Sequence, residues 1–276
     1  MATTFVAPAS LLSALLFYFG YVFSRAQYAY FGVDVDAIGL STRDYVMRSP
    51  QALLVPLLVI ALGGTALLVA HLALRSRDIP LAVVRATFVV AAVVLLAGLV
   101  LLFGYEQYGG WGPYGAVTPL LITTGVALAA YAARWPAAPG FLAGGKGTGP
   151  AVVRRGALML ALVVIATCLF WATATLAEWT GRGTAKETAR ELDQLPLVIL
   201  DTQERLFLTD GVVEESVLPT HEGQTFRYRY RRLRLLVQGD ERMFLVPDQW
   251  TASNSALAVS LDGSVRVQFR FINDPP

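Results

Sequence analysis

Five long apolar runs, at 5–23, 52–74, 81–104, 116–133 and 156–177, dominate the first two thirds of the chain. After residue 178 the pattern changes to short alternating runs. A bilayer core about 30 Å thick takes roughly 20 apolar residues in a helix, so each long run predicts a transmembrane span. The second and third are rich in Leu, Val and Ala with no central charge, and the fourth, with Pro119, Thr123, Thr124 and Gly125, is the least apolar. The first resembles a signal peptide in length alone, because no Lys or Arg precedes it and no small-residue cleavage site follows. It reads as a retained helix.

From 179 onward the pattern predicts a short helix and then antiparallel strands. "TAKE", Thr184 to Glu187, has the spacing of a capping box and predicts a helix that ends before Pro196. The runs "LVIL", "RLFL", "FRYRYRRLRLLV", "RMFLVP", "ALAVSL" and "SVRVQFRF" follow. Asp262-Gly263 between two alternating runs is a strong hairpin signal, and Gly239-Asp240 predicts another. In the last strand Val265, Val267, Phe269 and Phe271 alternate with Arg266, Gln268 and Arg270. The adjacent Arg231-Arg232 pair predicts a β-bulge, after which Leu233, Leu235 and Val237 share a face. The fold class is thus an α-helical integral membrane domain of five transmembrane helices over 1–178. A small, mostly β C-terminal domain over 179–276 follows, an antiparallel sandwich or open barrel. Residues 184–276 are expected to fold alone.

Composition sharpens this division. The chain is 55% apolar and 15% charged, against about 25% charged for a soluble domain. Residues 1–178 hold ten Lys/Arg and six Asp/Glu, and residues 179–276 hold twelve and fourteen. Cys168 is the only cysteine, so no intrachain disulfide supports the C-terminal domain. Lys146 and Lys186 are the only lysines among many arginines, alanines and valines, a bias that suggests a GC-rich bacterial genome.

Loop charge predicts the threading. Short cytoplasmic loops carry the excess of Lys and Arg. With the N-terminus inside, inner loops hold Arg75, Arg77, Arg134, Lys146, Arg154 and Arg155, with Arg85 in reach of the same face. Outer loops then hold only Arg25, Arg43 and Arg48. This places the C-terminal domain outside the cytoplasm at a bacterial cell membrane. Tyr18, Tyr21, Tyr28, Tyr30, Tyr45, Tyr105, Tyr108, Trp111, Tyr114 and Trp179 then gather at the outer interface, where aromatic rings suit headgroup depth. The inner interface has little beyond Trp135.

Two stretches mimic ligand sites. In "YFGVDVDAIGLSTRDY" Asp34, Asp36 and Gly39 match the first, third and sixth places of an EF-hand loop, but Ile38 and Tyr45 occupy the fifth and twelfth. "STRD", Ser41 to Asp44, instead has capping-box spacing and predicts a short surface helix over 42–49. Pro50 then enters the next span, and Gly32 and Gly39 turn the elbow. Asp34, Asp36, Asp44 and Glu106 form a possible acidic outer patch. "GFLAGGKGTG", Gly140 to Gly149, approaches a phosphate-binding P-loop, yet Gly147 replaces the magnesium-binding hydroxyl and no strand leads into it.

No span has an ionisable residue near its middle. The hydroxyls of Ser10, Ser13, Thr65, Thr87, Thr123, Thr124, Thr167, Thr173 and Thr175 are expected to bond to their own helix or a neighbour. Gly63-Gly64 and Gly125 with Ala129 offer small faces for close packing. Pro56 is expected to bend the second span.

In "FRYRYRRLR" the residues Arg227, Arg229, Arg231, Arg232 and Arg234 interleave with Phe226, Tyr228 and Tyr230. Strand alternation puts the rings on one face and arginines on the other, either a solvated face or a basic docking strand. An extracytoplasmic position argues against nucleic acid. His221, Ser216, Ser253, Ser255 and Asp248 form no nucleophile, oxyanion or zinc pattern. No catalytic set, cofactor or metal is assigned.

"LFYFGYVFSRAQYAYFGVDVDAIGLSTRDYVMRSP" and "YRYRRLRLLV … RMFLVP" together resemble uncharacterised multi-pass membrane proteins of actinobacteria. That resemblance implies a membrane protein and carries over no functional residue. The expected role is non-enzymatic: a polytopic protein presenting an extracytoplasmic β-domain to a protein partner, an envelope component or another copy of itself. The alternative is a subunit of an oligomeric channel or transporter with the acidic patch as its outer mouth.

Overall fold

The computed structural model describes residues 3–75, 80–133, 148–208, 211–219, 222–251 and 253–270. The chain divides into two compact units, one of residues 1–52 with 177–276 and the other of residues 53–176.

The helices are α1 (Thr3–Ala29), α2 (Val35–Ile38), α3 (Thr42–Arg75), α4 (Leu81–Phe103), α5 (Tyr105–Tyr108), α6 (Tyr114–Ala132) and α7 (Thr148–Arg190). A 3₁₀ turn, Leu192–Gln194, follows α7. Four helices among the described residues are long and apolar enough to cross a bilayer, at Thr42–Ala73, Leu81–Phe103, Tyr114–Ala132 and Arg155–Arg190. They correspond to the second to fifth predicted spans. The first predicted span lies in α1, whose opening side chains fall outside the described residues, so the count stands at four. The apolar side chains Leu57, Leu67, Val89, Val93, Leu96, Met159 and Leu162 all point outward. So much exposed hydrocarbon on continuous helices is the surface of a chain solvated by lipid rather than water.

In the 53–176 unit, α4 and α6 pack antiparallel. Leu95 faces Gly125 and Gly98 faces Ile122, so closely that a Cβ on Gly125 would stand 2.8 Å from the Leu95 backbone. Among the described residues nothing lies within 4 Å of a Cβ placed on Gly63 or Gly64. Thr65, Thr87, Thr167 and Thr173 donate to carbonyls four residues back. Thr175 also reaches Gly115 O at 2.9 Å.

Two expected helix starts do not occur. The helix opened at Thr42 continues through Pro50 and Pro56 to Arg75, where a short surface helix and a second start were expected. Freed backbone carbonyls in a membrane helix are satisfied locally, so an internal proline does not end it. Likewise Thr184–Glu187 lies inside α7. Forty-three residues at about 1.5 Å each carry α7 on past any bilayer thickness. The capping box is unused because the helix arrives already formed. The end before Pro196 agrees with the sequence.

The strands are β1 (Leu197–Thr202), β2 (Glu214–Val217), β3 (Tyr228–Gln238), β4 (Arg242–Pro247), β5 (Leu257–Ser260) and β6 (Val265–Arg270). They form a single antiparallel sheet in the order β5-β4-β3-β1-β6, with β2 also on β3. This corrects the two-sheet sandwich alternative. "RLFL" is coil, and β2 lies where no strand was expected. Gly239 turns the β3–β4 hairpin, donating from its N–H to Arg242 O at 2.8 Å. Asp262-Gly263 makes no hairpin, because β5 and β6 lie at opposite ends of the sheet. Asp262 instead accepts from Ser264 N at 2.9 Å, a local turn that a strand crossing to the far edge uses equally well.

The predicted bulge is present. Between the pairs Val198↔Leu233 and Leu200↔Tyr230, Arg231 and Arg232 oppose one residue of β1, and Arg232 takes φ 64°. A second bulge at Leu236 was not foreseen. It separates Val237 from Leu233 and Leu235, which were expected to share its face.

The sheet has two cores. One face gathers Val198, Leu200, Tyr230, Leu233, Met243, Leu245 and Val259, with Leu208 and Val213 from the coil before β2. Tyr230 anchors that coil by accepting from Leu206 N at 2.7 Å. The second core joins Val237, Phe244 and Val246 to Ala185 and Leu192, and to Tyr28, Phe31, Val33, Val35, Ile38 and Tyr45. The elbow between α1 and α3 is therefore part of the β-domain's core.

Candidate functional site

The elbow is built by its polar residues. Asp34 caps α2 by accepting from Asp36 N at 3.2 Å, and Gly39 closes it at φ 75°. Gly32 turns at φ 72°. Ser41 and Asp44 make a reciprocal capping box. The Asp44 carboxylate accepts from Ser41 N at 2.9 Å and Ser41 Oγ at 2.7 Å, while Asp44 N donates to Ser41 Oγ at 3.3 Å. Asp36 accepts from Tyr21 at 3.3 Å. Three of the four acids of the proposed outer patch thus hold the backbone or a neighbouring ring. Glu106 lies on α5 in the other unit. Among the described residues no group of three or more His, Cys, Asp or Glu is arranged to hold a metal ion. Most of the Gly140–Gly149 run, and His221, lie outside the described residues.

The five arginines of the basic strand have different fates. Arg229 pairs with Asp201 on β1, Nε to Oδ1 at 2.7 Å and Nη2 to Oδ2 at 3.0 Å. Arg266 on β6 reaches the same carboxylate from the other side, Nε to Oδ2 at 2.9 Å, and lies 5.1 Å over the Phe226 ring. Asp201 is 0% exposed. Burial pushes its pKa up, but the Arg229 and Arg266 hydrogen bonds outweigh that and hold it below its ordinary value. This triad locks three adjacent strands.

Arg232, lifted by the bulge, donates to Asp248 Oδ2 at 3.0 Å and lies 3.9 Å from Glu214. Arg234 donates to the carbonyls of Asp193 and Leu195 at 3.1 and 3.0 Å. Arg227 and Arg231 are exposed and have no ion pair among the described residues.

Three of these arginines, with one the sequence reading had not grouped with them, line a pocket. Alternation puts Leu197 and Ile199 on the sheet face opposite the buried Val198 and Leu200. Leu197 lies between Arg234 of β3 and Arg270 of β6 in the ladder. Around this apolar floor Arg231, Arg232, Arg234, Arg270, Glu214 and Asp248 enclose about 490 Å³. Arg270 was legible only as the polar side of an alternating strand. Nothing in the spacing showed that β1 would insert between it and β3.

No family model, curated protein or solved structure matches this chain.

Proposed function

We propose that this is a multi-pass protein of a bacterial cell membrane whose β-domain is a non-enzymatic, extracytoplasmic binding module. The observation that carries the threading is the shared core of Tyr28, Phe31, Val35 and Ile38 with Val237, Phe244 and Val246. The elbow and the β-domain must lie on one side of the bilayer. Four candidate spans separate them, an even number, as that requires. With α1 as a fifth span the N-terminus lies opposite both. The excess of Lys and Arg in the intervening loops supports a cytoplasmic N-terminus.

The basic, partly apolar pocket on the sheet supports binding as the domain's role. The partner is an envelope component or protein that meets this face. The module then acts as a sensor, scaffold or accessory subunit.

Single cysteines in a Cys168→Ser background test the threading. A membrane-impermeant maleimide added to intact cells should label Glu241→Cys and spare Ser76→Cys until the cells are opened. Labelling of Ser76→Cys alone in intact cells would put the β-domain in the cytoplasm and end this reading.

A further inference from the structure

The pocket lies on the sheet face opposite Val198 and Leu200 and is assembled from four strands, β1, β2, β3 and β6, with the coil after β4. Four guanidinium groups, of Arg231, Arg232, Arg234 and Arg270, meet two carboxylates, of Glu214 and Asp248. Only Arg232 pairs with those acids. Arg234 is held by two carbonyls, and its Nε is buried without a partner among the described residues. Asp248 Oδ1 is buried in the same condition, so two of the residues that line the pocket each keep one buried polar atom without a partner among the described residues. Four positive charges meet two negative ones here, a formal excess of two.

Guanidinium forks suit phosphate oxygens, which accept several charge-assisted hydrogen bonds at once. A carboxylate, with two oxygens, would engage fewer of the four. The volume of about 490 Å³ exceeds a lone phosphate and falls in the range of small-molecule sites. The floor of Leu197 and Ile199 faces the remainder of the ligand with hydrocarbon.

From these features we propose that the β-domain binds a phosphate ester carried on a larger, partly apolar body. Arg231 and Arg270 are the principal phosphate contacts, Arg232 and Arg234 complete the cradle, and Leu197 and Ile199 support the body. The proposal deepens the reading of the β-domain as a binding module and is independent of which side of the membrane it occupies. The phosphate belongs either to a phospholipid headgroup or to a soluble phosphate ester.

The full chain in uncharged detergent, titrated by calorimetry, distinguishes the two. The probes are short-chain phosphatidylglycerol below its micellar concentration, glycerol 3-phosphate, and short-chain phosphatidylcholine as the zwitterionic control. Binding of phosphatidylglycerol alone assigns a headgroup, and binding of glycerol 3-phosphate assigns a soluble ester. Arg231→Gln and Arg270→Gln should each weaken the productive probe about tenfold, the scale of one charge-assisted contact. Arg227→Gln, exposed outside the pocket, should leave it unchanged. Both test arginines are exposed, so an unaltered thermal midpoint is expected and separates lost binding from lost folding. Three results would overturn the proposal: no heat from either anionic probe at millimolar concentration, equal binding of phosphatidylcholine, or equal effects of the Arg227 and Arg270 variants. Such a failure with external labelling of Glu241→Cys intact would remove this ligand and leave the membrane reading standing.

Discussion

Asp201 and Arg229 face each other across β1 and β3, joined by two parallel hydrogen bonds of 2.7 and 3.0 Å. The carboxylate is wholly buried, whereas the Arg229 side chain is 22% exposed and that of Arg266, its second partner, is 46% exposed. The buried acid depends on both arginines, and each arginine keeps some access to solvent.

Asp201→Asn is expected to destabilise the β-domain by about 2–3 kcal/mol. That is less than the roughly 3–5 kcal/mol for breaking a fully buried pair, because both orphaned arginines reach water. Chemical denaturation of the full chain, followed by amide exchange of β1, β3 and β6, reads the loss. An unchanged midpoint would show that the triad contributes geometry and no stability.

The same carboxylate sets a pH dependence. Its folded pKa lies below the ordinary value of 3.8, so the unfolded chain binds the proton more readily. The stabilisation is fully present above the unfolded value and is lost as pH falls through the lower, folded one. Stability of the wild type should therefore drop below about pH 4 more steeply than that of Asp201→Asn. Parallel acid-unfolding curves for the two proteins would contradict this.

At the β3–β4 turn, a Cβ on Gly239 would lie 1.7 Å from the Ile38 carbonyl oxygen, far inside contact distance. Gly239→Ala should force the hairpin off the elbow and speed amide exchange in residues 31–40 at least tenfold. Exchange in β6, at the far edge of the sheet, should change little. Uniform acceleration would mean that the turn and the elbow do not meet as described.

A fragment of residues 184–276 is expected not to fold stably, in contrast to its reading as an autonomous domain. It retains the core around Leu200 and Tyr230 but lacks Phe31, Val33, Val35 and Ile38, which cover Phe244 and Val246. Each such side chain contributes about 1.5–3 kcal/mol on burial. The fragment should bind a hydrophobic dye and show a broad thermal transition. A sharp, cooperative melt would refute the shared core.

The spans were readable because lipid imposes a length and a composition that any continuous apolar run displays. The Ser41–Asp44 cap and the Arg231-Arg232 bulge were readable because their partners lie within a few residues. The same local logic misled at Thr184 and Pro50, where capping and breaking signals sat inside helices that ran on. It misled also at Asp262-Gly263, because a turn motif carries no information about which strand comes next.

From residue order alone, then, came the membrane character, the antiparallel β-rich tail and the local turns, all governed by short-range hydrogen bonding and by periodicity. Folding in space settled what lies far apart along the chain. Asp201 meets Arg229 and Arg266, the elbow enters the sheet's core, and Arg270 joins Arg231 and Arg234 around one pocket. Strand order brings those residues together, and strand order follows from which surfaces bury each other best, a property no single segment possesses.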